Sequence, residues 1–179
     1  MTQVGNVYGQ ALYSLAKDEG LDSVVLEELN VLKESFSEEP EFLRLLAAAS
    51  LTKDERCKIV DESLRGKVHL YVLNFLKILT EKGYARQFFE CCEMYESQYN
   101  EDHGILPVKA VTAIPLSKEQ TEKLTKKLSG ITGKTVMIVN QVDADCIGGV
   151  RLDFDGKRLD DTVAHRLEAI GGLLKNTVL

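Results

Sequence analysis

Along the first hundred positions, hydrophobic residues recur every three or four places. Val4, Tyr8, Ala11, Leu12 and Leu15 form one stripe, ending before Gly20. Val25, Leu29, Leu32 and Phe36 form the next, stopped at Glu39-Pro40. Such spacing places apolar side chains on one face of an α-helix. Pro40 suits the first turn of a third helix, where no N–H is required of it, and that helix carries Phe42, Leu43, Leu45 and Leu46. Thr52-Lys-Asp-Glu55 is a capping box, a hydroxyl and a carboxylate that reciprocally satisfy free amides. It opens a helix with Ile59, Val60 and Leu64 that ends near Gly66. Val68–Lys82 predicts a fifth helix closed by Gly83, and a long sixth carries Tyr84, Phe88, Cys92, Tyr95 and Tyr99. Six short helices with brief connections predict a bundle.

The period then changes. Ile105–Ala113 is β-rich and bounded by Pro107 and Pro115, which predicts a strand with an irregular start. Ser117-Lys-Glu-Gln120 is a second capping box, opening a helix with Leu124, Leu128 and Ile131 on one face. Val136–Val142 reads as a strand by composition. Val150, Leu152 and Phe154 alternate with Arg151, Asp153 and Asp155, a half-buried strand that ends in an Asp155-Gly156 turn. Val163, Leu167, Ile170 and Leu174 predict a terminal helix. The expected fold is therefore mostly α: an N-terminal six-helix bundle over residues 1–103, then a small α+β domain over 104–179. About 75 residues make a marginal core, so the second domain is expected to lean on a neighbour or partner.

Composition supports the same division. The first 103 residues carry 19 acidic and 11 basic side chains, and the remainder is slightly basic within an overall net charge of -6. Five of the 13 glycines precede position 104, and no proline lies between Pro40 and Pro107. The negative balance argues against a nucleic-acid binder or direct docking on anionic lipid. No apolar run approaches the roughly 20 residues of a membrane span. The start shows no basic segment followed by an apolar core, so no secretory signal is expected. Cys57, Cys91, Cys92 and Cys146 have no CxxC spacing, and a reduced, cytosolic chain is the simplest expectation.

Candidate chemistry is sparse. Gly130-Ile-Thr-Gly133-Lys134-Thr135 invites a phosphate-loop reading, but that loop needs a glycine where Leu128 stands, and the segment follows a helix rather than a strand. A helix-ending glycine turn fits better. A calcium loop starting at Asp143 would need ligands at Ile147 and Phe154, both apolar, so the acidic residues around Asp143, Asp145, Asp153, Asp155, Asp160 and Asp161 read as solvated strand and turn positions. His69, His103 and His165 are isolated, and one of Cys91 and Cys92 is expected to pack as a small hydrophobe. No catalytic, metal or cofactor site is expected. The Val68–Lys82 helix is apolar round much of its circumference, which fits either a central helix or one that leaves a groove for a partner.

At this point the chain resembles the delta subunit family of F-type ATP synthase, whose mitochondrial relative is the oligomycin-sensitivity-conferring protein. Tyr8-Gly9-Gln10-Ala11-Leu12-Tyr13-Ser14-Leu15-Ala16 is similar to the family's first helix. Asn74-Phe75-Leu76-Lys77-Ile78-Leu79-Thr80-Glu81-Lys82-Gly83-Tyr84 is similar to its N-F-L-x-x-L-x-x-x-G-R stretch, with Tyr84 in place of the arginine and Arg86 two places on. Thr112-Ala113-Ile114-Pro115-Leu116-Ser117, Thr132-Gly133-Lys134, Val142-Asp143, Ile147-Gly148-Gly149-Val150 and Asp160-Asp161-Thr162 follow in the family's order.

The resemblance implies a non-catalytic stator subunit without cofactors that links the alpha/beta catalytic head to the b subunits of the peripheral stalk. Rotor torque then drives ATP synthesis. Its implied place is the cytoplasmic side of a bacterial cell membrane, peripheral within the complex. It further implies that a groove between the first and fifth helices accepts the N-terminal helix of an alpha subunit. Carried onto this chain, that groove is lined by Tyr8, Ala11, Leu12, Leu15, Phe75, Ile78 and Leu79, with structural roles for Gly148, Gly149, Asp160 and Thr162. The alternatives are a free-standing helical adaptor and a nucleotide binder using Gly133, Lys134 and Thr135.

Overall fold

Helix α1 (Gln3–Asp18) begins where Thr2 turns its hydroxyl onto the N–H of Gly5, at 3.2 Å. The N–H of Thr2 donates to the Glu90 carboxylate at 2.6 Å, tying this end of α1 to a residue 88 positions away. The computed structural model describes residues 2–48 and 50–167. Helices α2 (Asp22–Glu38), α3 (Pro40–Leu46), α4 (Lys53–Leu64), α5 (Leu70–Glu81) and α6 (Phe88–Asp102) follow. Both arms of the Thr52–Glu55 capping box form at the start of α4.

Two boundaries differ from the periodic pattern. Helix α5 starts at Leu70 rather than Val68 because His69 caps it: the imidazole Nδ1 accepts the N–H of Tyr71, and the backbone N–H of His69 donates to Glu28 at 2.7 Å. Tyr84 stands outside the sixth helix. Gly83 adopts φ +78°, and the Tyr84 N–H donates back to the Leu79 carbonyl at 2.7 Å, which closes α5 in a Schellman turn. A 3₁₀ turn at Ala85–Gln87 then leads into α6.

The helices share one core. Tyr13 meets Tyr95 edge-on at 5.3 Å, and Phe36 meets Phe88 at 5.0 Å, both within the favourable range for aromatic pairs. The Tyr95 hydroxyl donates to the Asp22 carbonyl at 2.9 Å, so this deeply buried phenol is not left unpaired. Cys91 and Cys92 are both buried, so the pair packs as two small hydrophobes, and burial pushes the Cys91 thiol up to about 11. At Gly9, α1 passes α6 so closely that a Cβ would overlap the Cys91 carbonyl oxygen and come within 2.8 Å of the Met94 Cβ. Only glycine lets the two helices meet there.

By contact the chain divides into two compact units, Met1–Tyr99 and Asn100–Leu179. The second unit holds strands β1 (Ile105–Thr112), β2 (Thr135–Val142), β3 (Val150–Phe154) and β4 (Lys157–Asp160), with helix α7 (Lys118–Thr132) between β1 and β2. Sheet order is β2-β1-β3-β4: β1 and β2 are parallel, joined through α7, and the other pairs are antiparallel. Leu106, Val108 and Ala110 of β1, Val136 of β2 and Leu152 of β3 form the core with Leu128 of α7. β3 pairs only Lys109–Thr112 of β1, so at Pro107 the strand has β2 on one side and no strand on the other, and a proline is tolerated there.

Asp155 and Gly156 have φ +49° and +69° and join Phe154 to its partner Lys157, the geometry of a two-residue type I′ hairpin. The fold is thus mostly helical with a small mixed sheet in its C-terminal part. The expected terminal helix begins at residues 163–167, and its remainder, with Ile170 and Leu174, lies outside the described residues.

Candidate functional site

One side of α1 and one side of α5 enclose a groove of about 430 Å³. Leu12 and Phe75 are nearly buried and form its floor, whereas Leu15 and Ile78 are each 44% exposed. Tyr8 lines the groove while leaning on Tyr84, their ring centroids 5.9 Å apart. Ala11, the smallest of the α1 lining residues, keeps the depression open between Tyr8 and Leu15. Two further residues complete the lining, Tyr71 and Asn74. They lie one helical turn before Phe75 and Ile78, a signal already present in the i, i+3, i+4 spacing.

Six of the seven residues carried over from the family therefore meet in one place. Leu79 does not. It is fully buried and belongs to the core, because its position on α5 points away from the face shared by Tyr71, Asn74 and Ile78.

The second unit has its own open surface. On the sheet face away from α7, Met137 and Val139 are 57% and 65% exposed, and Pro107, Lys109, Asp153 and Arg158 lie on the same face. A hollow of about 830 Å³ runs from Val139 to the β3–β4 turn. The Asp153 carboxylate accepts from Arg158 at 2.7 Å and pairs with Arg151; the Arg158 hydrogen bond is the larger reason it is held below the usual carboxylate range.

The glycine pair before β3 separates into two cases. Gly149 has φ +82°, and a Cβ there would press on the Asp161 carbonyl and reach 3.0 Å from the Thr162 Cα. At Gly148 a Cβ would meet only a Val163 methyl at an ordinary 3.5 Å. The unusual neighbour is instead Ile147, at φ +63°. Of the two, Gly149 is the one held by a positive φ and a close backbone approach.

Asp160 and Thr162 form one local device. The carboxylate accepts the Thr162 N–H at 3.0 Å and its hydroxyl at 2.7 Å, which lowers the Asp160 pKa, and the Thr162 oxygen accepts the His165 N–H at the start of the helical residues 163–167. Asn140 is a structural residue that the sequence reading missed. Its amide accepts the Leu116 N–H at 2.8 Å and donates to the Ala110 carbonyl and the Thr112 hydroxyl, both at 2.9 Å, stapling β2 to β1 and to the approach of α7. Asn140 and Gln141, two polar residues interrupting the five apolar ones of this strand, were the available signal.

The Gly133-Lys134-Thr135 turn has no phosphate-loop geometry. Gly133 sits at φ +69° as the C-cap of α7, its N–H bonded to Ser129, and Lys134 is exposed between a helix and a strand. Lys134→Ala is expected to leave both thermal melting and ATP turnover of the assembled enzyme unchanged within error. A loss of turnover with the subunit still bound would give this turn a chemical role.

A family model described as ATP synthase delta (OSCP) subunit matches residues 4–174. The chain belongs to this family. It is 33% identical to an ATP synthase subunit delta of Alkaliphilus oremlandii over 92% of this chain and 91% of that one. It is 30% identical to the subunit delta of Desulfitobacterium hafniense over 91% of each. A chain of the mitochondrial ATP synthase hexamer of Toxoplasma gondii shares the fold, with a TM-score of 0.76 and 18% identity over 97% of this chain and 98% of that one. Membership makes the protein a non-catalytic stator subunit of F-type ATP synthase. Among the described residues no helix is long and apolar enough to cross a membrane.

Proposed function

We propose that the N-terminal unit is the family's six-helix bundle, spanning residues 1–103, and that it holds the catalytic head by taking an alpha-subunit N-terminal helix into the α1–α5 groove. The observation that carries this is the convergence of Tyr8, Ala11, Leu12, Leu15, Phe75 and Ile78 on one open, largely apolar depression. An amphipathic helix in such a groove is a recurring mode of recognition, and each fully buried Leu or Phe contributes about 1.5–3 kcal/mol. A stator joint has to resist torque without dissociating, and affinity built from buried area acts mainly by slowing release.

The C-terminal domain, residues 104–179, holds the b subunits of the peripheral stalk on the cytoplasmic side of a bacterial cell membrane. Its open sheet face offers exposed Met137 and Val139 flanked by Lys109 and Arg158. Two domains gripping different partners lengthen residence through effective concentration, with no further contact needed. Val139→Glu is expected to lower co-purification of the soluble part of the b subunits on the order of tenfold and to leave alpha-peptide binding intact. Unchanged stalk recovery would move the stalk contact off this face.

The deciding experiment is calorimetric titration of the full chain with a peptide copying the alpha-subunit N-terminus from the same genome. Saturable 1:1 binding, abolished when the groove residues are changed, supports the proposal. No binding at high micromolar peptide would remove the groove from the head contact.

A further inference from the structure

We infer that Asn74 sets the register in which a helix is held in the α1–α5 groove, by demanding a polar side chain at one position of that helix. The inference rests on the reading of the groove as the alpha-subunit site. Of the eight lining residues, Asn74 is the one without an apolar or aromatic body. It lies three residues after Tyr71 and four before Ile78, midway along the contribution of α5. Its side chain is exposed and makes no hydrogen bond within the described residues, so water serves the amide in the free protein.

Tyr8 and Tyr71 also line the groove, but their hydroxyls are carried on aromatic bodies. A phenol needs a single partner, which rim water can supply, whereas a carboxamide presents two donors and an acceptor. A helix laid along the groove would strip water from the Asn74 amide. Leaving a buried amide unpaired costs more than a made hydrogen bond returns, so an occupant that leaves it unmet is rejected. The interior backbone of a helix has its own N–H and C=O groups already paired. The complement has to be a side chain, an amide, hydroxyl or carboxylate, set among the apolar residues of the stripe that faces the groove. Sliding the helix by one turn would put an apolar side chain opposite Asn74 and bury the polar one against Leu12 or Phe75. One such polar contact specifies register at some cost in affinity, as a buried asparagine does in coiled coils.

The test is a double-mutant cycle on the full chain. The wild type and Asn74→Leu are each titrated with the alpha-subunit N-terminal peptide and with a set in which each polar residue of its apolar face is replaced singly by leucine. Asn74 is exposed, so Asn74→Leu is expected to melt with the wild type. One leucine peptide should bind the wild type about tenfold more weakly than the parent does, and bind Asn74→Leu at least as tightly as the parent does. A purely structural Asn74 cannot produce that inversion. If every leucine substitution shifts both proteins by the same factor, Asn74 does not read the helix and the inference fails while the groove reading stands. If the parent peptide does not bind the wild type at all, the groove reading fails and takes this inference with it. A chain that then sediments as a dimer would assign the groove to a second copy.

Discussion

Ile78→Asp is expected to weaken binding of the alpha-subunit N-terminal peptide by two orders of magnitude or more, while the free protein melts within a few degrees of the wild type. Ile78 is 44% exposed and lines the groove, so the new carboxylate stays hydrated in the free protein. The stability loss there is confined to part of one side chain's burial and a helix-propensity difference of about 0.5 kcal/mol. On binding, the carboxylate would have to give up water against an apolar helix, a penalty of several kcal/mol, and each 1.4 kcal/mol is about tenfold in affinity. Leu79→Asp is the control. Leu79 is fully buried one residue further along α5, so the same substitution there should unfold the N-terminal unit outright. If Ile78→Asp also collapses the melt, Ile78 is core. If it changes neither quantity, the groove is not where the head is held.

Gly149→Val should unfold the C-terminal domain and abolish stalk attachment, with alpha-peptide binding retained. Valine at φ +82° is in a backbone region that a β-branched residue rarely occupies, at a cost of order 1–3 kcal/mol. Its Cβ would in addition press on the Asp161 carbonyl and the Thr162 backbone, where relief requires moving the chain. Those atoms belong to the Asp160–Thr162 device that starts the helix at 163, so the displacement propagates into a second element. Together these penalties rival the 5–15 kcal/mol that stabilises a typical domain. Loss of protected amides in residues 105–160, with those of α1 and α5 still protected by hydrogen exchange, is the expected signature. Gly148→Ala is the paired variant and should cost little. Equal loss of protection in both units would mean that they unfold together.

Much of the helical half could be read directly from the chain. The stripe of α2, the proline opening α3, and the Thr52–Glu55 and Ser117–Gln120 boxes all appear as read, whereas α1 forms but buries Gly5, Gly9, Leu12, Tyr13 and Ala16, so only Leu12 of its apolar stripe is core. The misplacements were small and had local causes. His69 was not recognised as a cap, since imidazole is an uncommon capping group, and the Schellman turn at Gly83 detached Tyr84 from α6. Strand β4 was missed because Lys157-Arg158-Leu159-Asp160 is short and polar, and its strand character comes from pairing with β3 rather than from its own pattern.

Interactions that span one helical turn or one tight turn are written in adjacent residues, so the sequence by itself determined most helix positions, two capping boxes, and the glycine turns at Gly83, Gly133 and Gly156. The motifs spaced along the chain also carried its family. The tertiary structure alone decided which apolar residues of α5 are core and which remain open. Leu79 and Ile78 are adjacent aliphatic residues, told apart only by what packs against each side of the helix. It likewise decided that Gly149, not Gly148, meets a backbone twelve residues away, and that β1 pairs in parallel with β2 and antiparallel with β3. Those outcomes depend on contacts between residues far apart in the chain, and no local periodicity encodes which partner each face will find.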